Sequence, residues 1–121
     1  MTSLPNVLFF ICDQLRADHL GCYGNRTVRT PAIDKIAARG TSFDRFYVAS
    51  PVCQPNRATL ATGRMPSLHG VRTNGISLAL TANTFIEMLR LSGWRTALIG
   101  KSHLQNFTGQ APAAKRPETP A

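Results

Sequence analysis

Cysteine is scarce in this chain of 121 residues: there are three, Cys12, Cys22 and Cys53, at irregular spacing. That spacing excludes a disulfide framework and a Cys-x-x-Cys redox pair. It also excludes a zinc site of clustered ligands, since only His19 stands between the first two. No apolar run approaches the ~20 residues of a membrane span, so no membrane partner is expected. The opening has no basic segment, and Val7–Cys12 falls short of the roughly 7–15 apolar residues of a secretory signal. Cytoplasm is the expected compartment. Acidic residues are also few, six against fourteen basic, which leaves a net charge of +8. The eleven arginines run evenly from Arg16 to Arg116 without the aromatic–basic interleaving of a nucleic-acid reader, so no nucleic-acid partner is expected.

What the sequence does contain is the pentapeptide Cys53-Gln54-Pro55-Asn56-Arg57. Pro51 and Pro55 bracket the thiol, hold the backbone before it extended, and predict a helix beginning near Pro55 or Asn56. Arg57 to Arg64 continues with good helix formers and meets Gly63 as a stop. Cys53 is thereby expected just ahead of a helix N-terminus, where unpaired N–H groups favour an anion by about 0.3–1 kcal/mol. Arg57, one turn on, offers a planar fork of donors to oxyanions. Spacing removes two competing chemistries. A thiolate phosphatase requires Cys-x5-Arg, but that position is Thr59, and a phosphate-binding loop ending at Gly100-Lys101-Ser102 would need glycine where Arg95 stands.

Around this motif the chain alternates strand and helix signals, which predicts an α/β fold. Val7–Cys12 is a continuous apolar run of the kind buried on both faces of a sheet, with Asp13 at its C-terminal end, where open sheets place ligand chemistry. Thr30-Pro31 opens a helix through Arg39 that Gly40 stops. Ser42 to Val48 is an extended segment or strand. Thr84-Phe85-Ile86-Glu87 is a capping box for a helix to about Ser92, and Arg95 to Gly100 is a further buried strand. Residues 1–108 form one domain, incomplete for want of partner strands, and the Ala/Pro-rich residues 109–121 are expected to be disordered.

Taken together, Asn6–Asn25, Thr30–Gly40, Ser50–Val71 and Thr84–His103 resemble successive N-terminal segments of the sulfatase family in the alkaline phosphatase superfamily. The Asp13-Gln14 pair, in place of two aspartates, resembles the phosphonate monoester hydrolases within it. The resemblance implies the N-terminal part of an alkaline-phosphatase-like mixed sheet sandwiched by helices. It implies Cys53 oxidised to Cα-formylglycine by a formylglycine-generating enzyme, braced by Arg57. Lys101 would neutralise ester oxygens, and His103 would assist the aldehyde hydrate. Asp13, Gln14 and the modified Cys53 would face a divalent metal, Ca²⁺, Mn²⁺ or Mg²⁺. Lys101 and His103, alternating along an extended segment, are expected on one side. His19 and His69 match nothing catalytic and are expected to be structural or exposed. The implied substrate is a small sulfate ester, with a phosphonate or phosphate ester as the alternative. Family members are several hundred residues long, so the chain is expected to be a truncated form with little turnover alone. A non-catalytic basic α/β fragment is the competing reading.

Overall fold

A computed structural model describes residues 5–106, and the expectation for residues 109–121 lies outside them. The described residues fall into two compact units, Pro5–Tyr47 and a second running on from Val48.

In the first unit Val7–Cys12 is not a strand. Its residues Val7 to Ile11 are 43–79 % exposed. Ser42–Val48 and, in the second unit, Arg95–Gly100 likewise adopt no strand, and no strand occurs among the described residues. The expected mixed sheet is therefore absent here. An apolar run of the buried-strand type acquires its ladder only from neighbours on both edges, and Ile99, 98 % exposed, has none against it.

Helix α1, Pro31–Arg39, forms where Thr30-Pro31 predicted it, with Gly40 after its last residue. Thr30 does not cap its own helix. Its hydroxyl instead accepts from the Gly21 N–H at 2.8 Å and donates to Asp34 Oδ1 at 3.0 Å. Asp34 also accepts from the Cys22 N–H at 2.8 Å, so this first-turn carboxylate ties α1 to the 3₁₀ turn Gly21–Tyr23. The apolar residues Ile33 and Ile36 of this helix are 38 % and 67 % exposed. A Cβ on Gly21 would stand 2.5 Å from Asp34 Oδ2, and that carboxylate is already held twice. Gly21→Ala should therefore destabilise this unit by about 1–3 kcal/mol. Thermal melts should show the cost shrinking when Asp34→Ala is added, and an equal cost in both backgrounds would refute the clash.

The second unit is organised on helix α2, Cys53–Thr62, which starts two residues earlier than predicted. Pro55 is tolerated because the N–H it lacks belongs to the first turn, where no intrahelical acceptor exists. Gly63, at φ 67°, closes the helix in the left-handed conformation, donating its N–H to Thr59 O. Ala58 faces Val71 and Leu78 in a small apolar cluster, with Ala82 and Leu104 against it. Helix α3, Pro66–His69, follows. Helix α4, Phe85–Leu91, opens on the predicted cap, Thr84 Oγ1 accepting from the Glu87 N–H at 3.2 Å. It closes in a Schellman motif, with Gly93 N–H on Arg90 O and Trp94 N–H on Leu89 O, both at 3.1 Å.

His69 joins α3 to α2. Its Nδ1 accepts from the Val71 N–H at 3.1 Å, which leaves the proton on Nε2, 3.0 Å from Thr59 Oγ1. Burial of the ring pushes its pKa below the ordinary 6.5. The folded chain thus keeps His69 neutral where the unfolded chain protonates it, so stability is full above about pH 6.5 and falls as pH drops below it. The unfolding midpoint should fall between about pH 7.5 and about pH 5.5, and His69→Gln should flatten that slope. An unchanged slope would remove His69 as its cause. His19 is exposed and lies against Asp18, whose carboxyl is held below its usual range chiefly by Arg16.

Candidate functional site

Cys53 is the first residue of α2, with Val52 as the N-cap. An apolar N-cap leaves the first-turn N–H groups without the side-chain acceptor that Ser, Thr, Asp or Asn would supply. Asn74 takes that role from a distance: its Oδ1 accepts from the Gln54 N–H at 3.1 Å. The same amide places Nδ2 3.9 Å from Cys53 Sγ, within reach of a large sulfur acceptor. Gln54 is fully buried and returns the contact. Its Oε1 accepts from the Gly75 N–H and its Nε2 donates to Ile76 O, both at 2.8 Å. One side-chain amide thereby pairs with residues 75 and 76 much as a neighbouring strand would. Gly75, at φ 97°, supplies the turn that this pairing needs.

Arg57, one turn along α2, is 8 % exposed and donates from Nη1 to Lys101 O at 2.6 Å. Helix α2 and the segment of Lys101 and His103 are thus joined within one unit. The simple alternation expected of that segment does not hold. Gly100 has φ 101° and His103 has φ 50°, which breaks the period of two. Lys101 is exposed, whereas His103 is buried at 9 %. Cys53 itself is half-buried, and Cys12 and Cys22 are exposed.

Asp13 and Gln14 lie on a bend of the first unit, Gln14 with φ 56°. Asp13 supplies hard oxygens suited to Ca²⁺, Mg²⁺ or Mn²⁺, but the encoded thiol of Cys53 is a soft donor that such cations disfavour. Among the described residues no three His, Cys, Asp or Glu side chains converge to hold a metal ion. Asp13 with Gln14 does not by itself make up a full ligand set for such a cation. The open clefts of the first unit are lined by Gly21, Cys22 and Asp34 and by Lys35 and Arg39, and the Asp34 carboxylate there is already engaged by Thr30 and the Cys22 N–H.

Sequence reasoning found Cys53 and Arg57 but missed Gln54 and Asn74. Gln54 is the variable second residue of the motif. Asn74-Gly75 is a common turn dipeptide, the one signal that a tight turn stood ready to face the helix.

Known proteins are similar to this chain over most of its length. The family model "Sulfatase" matches residues 5–117. The steryl-sulfatase of Homo sapiens is 39 % identical over 113 residues, covering 84 % of this chain and 19 % of the relative. Arylsulfatase D of Homo sapiens is 41 % identical over 110 residues, covering 82 % and 18 %. The N-acetylglucosamine-6-O-sulfatase of Bacteroides thetaiotaomicron is 34 % identical, covering 85 % and 18 %. Among solved structures, a 2-O GAG sulfatase matches with a TM-score of 0.71 at 33 % identity, covering 81 % of this chain and 22 % of that one. The chain spans about a fifth of the length of the curated relatives it matches.

Proposed function

We propose, on the premise that this chain belongs to the sulfatase family, that it carries the nucleophile half of a formylglycine-dependent sulfuric ester hydrolase. The observation behind this is the seating of Cys53 at the start of α2, with Arg57 fixed on Lys101 O at 2.6 Å. Oxidised to formylglycine and hydrated, residue 53 would supply two hydroxyls on one carbon: one attacks sulfur as the ester S–O bond breaks and the alcohol leaves with a proton, and the other loses its proton as the carbonyl reforms and the C–O bond to sulfate breaks. Arg57, one turn along the same helix, keeps a positive charge near residue 53. Lys101, exposed, meets the sulfate oxygens as a point charge. His103, buried on the same segment, takes the proton of the second hydroxyl. Asp13 and Gln14 would give the oxygen donors of a divalent cation in part.

The relatives act, by name, on chemically different alcohols, a steroid and an N-acetylglucosamine among them, yet match this segment at similar identity. The segment is therefore assigned to the shared sulfate group and not to the alcohol. The phosphonate monoester alternative rests on Asp13-Gln14 alone. Expressed with a formylglycine-generating enzyme, the protein should hydrolyse an aryl sulfate in preference to a phosphonate monoester or phosphodiester, and Cys53→Ala should abolish the reaction. With no full metal set among the described residues the rate should be low, so the ratio of rates is the readout. A ratio favouring the phosphonate would overturn the sulfate reading, and sulfate release that survives Cys53→Ala would overturn the role of Cys53.

A further inference from the structure

Resting on the reading of Cys53 as the reactive side chain, we infer that Asn74 is a positioning residue for it, turning one amide into both a cap for α2 and a donor aimed at residue 53. The orientation of the amide follows from its partner. The Gln54 N–H can only donate, so the atom facing it at 3.1 Å must be the carbonyl oxygen Oδ1. The NH₂ group is then forced to the other side, where it stands 3.9 Å from Cys53 Sγ. A flipped amide would set N–H against N–H at Gln54 and forfeit that bond.

The turn that carries Asn74 has little freedom to move. Gly75 N–H and Ile76 O, the next two backbone groups, are both occupied by the buried Gln54 side chain at 2.8 Å. Gln54 is held at the second position of α2, next to Cys53. Residues 53 and 54 thus meet residues 74 to 76 through a closed ring of contacts, and the ring leaves one donor pointing at the sulfur. A hydrogen bond from a donor at that place is stronger to a charged acceptor than to a neutral one. Asn74 has a second duty that makes it hard to replace: it satisfies a first-turn N–H that Val52 cannot.

The two duties can be separated by substitution. Asn74→Asp keeps an acceptor for the Gln54 N–H but replaces the donor with a carboxylate, which opposes negative charge on Cys53. Asn74→Ala removes both. The test uses the full chain expressed without the modifying enzyme, so that Cys53 remains a thiol, and follows iodoacetamide alkylation of each cysteine peptide against pH. Cys12 and Cys22 are exposed and serve as references within the molecule. In Asn74→Asp, Cys53 should be alkylated several-fold more slowly at a given pH near neutrality, its profile displaced to higher pH, while Cys12 and Cys22 are unchanged. Hydrogen exchange at the Gln54 amide should stay slow in Asn74→Asp and quicken in Asn74→Ala. A Cys53 profile in Asn74→Asp that superimposes on the parent overturns the proposal, whether or not Asn74→Ala folds. The outcome is independent of formylglycine formation, because a thiol that is never converted would defeat the proposed function and leave this comparison intact.

Discussion

Replacing Gln54 by leucine should lower the unfolding free energy of the second unit by about 1–3 kcal/mol, because it takes the partner from two backbone groups that a fully buried side-chain amide now holds. Those groups are the Gly75 N–H and Ile76 O, each 2.8 Å from the Gln54 amide. Leucine would fill a similar volume and is itself a good helix former, so propensity and packing do not account for the loss. What is lost is the polar pairing, at a residue with no exposure to water. Urea denaturation followed by fluorescence would measure the change, and Gln54→Glu should recover less than half of it, since a carboxylate accepts from Gly75 but cannot donate to Ile76 O. The same variant should loosen the turn that carries Asn74, so Cys53 alkylation should change with it. A leucine variant as stable as the parent would mean that water replaces the amide and that the clamp holds nothing.

The second large effect is expected at Arg57. Arg57→Lys retains the charge but not the fork. The 2.6 Å donation to Lys101 O comes from one guanidinium nitrogen and leaves others for a second partner. A lysine reaches a single acceptor and shares out nothing. Sulfate-ester hydrolysis by the formylglycine form should fall about 10²-fold in kcat/KM, the scale of a reacting group displaced by about 1 Å. Arg57→Lys should leave the chain folded, as measured by circular dichroism, because the aliphatic stem still fills the buried path along α2. A kcat/KM within about threefold of the parent would reduce Arg57 from a brace of the site to an element of the core.

The helices were legible in the sequence because their signals are local. Thr30-Pro31 with Gly40, and Thr84 with Glu87 and Gly93, carry their own start and stop chemistry, and α1 and α4 stand where that chemistry put them. The start of α2 was misplaced by two residues because the residue before a proline is biased away from helix, a bias that Gln54 overcomes through its side-chain contacts. The strands were less legible. An apolar run such as Val7–Cys12 announces that it suits burial, not what it is buried against, and partners for it are missing among the described residues. The segment Gly100–His103 failed for another reason: two left-handed residues interrupt an alternation that sequence alone assumes.

At the site, the types of residue were readable and their connections were not. Cys53 and Arg57 sit one turn apart on one helix, which spacing gives directly. The link from Arg57 to Lys101 spans 44 positions, and that from Gln54 to Gly75 spans 21. Long-range polar contacts of this kind leave no periodic mark in a sequence, and Gln54 lies at a position the motif leaves free.

The most direct measurement is the mass of the peptide containing Cys53 after expression with a formylglycine-generating enzyme, with the Cys12 and Cys22 peptides read in the same digest. The account predicts sulfur lost from residue 53 alone, as an aldehyde that hydrazide reagents capture, with both other thiols intact. An unconverted thiol at Cys53, under conditions in which a known sulfatase is converted, would contradict it.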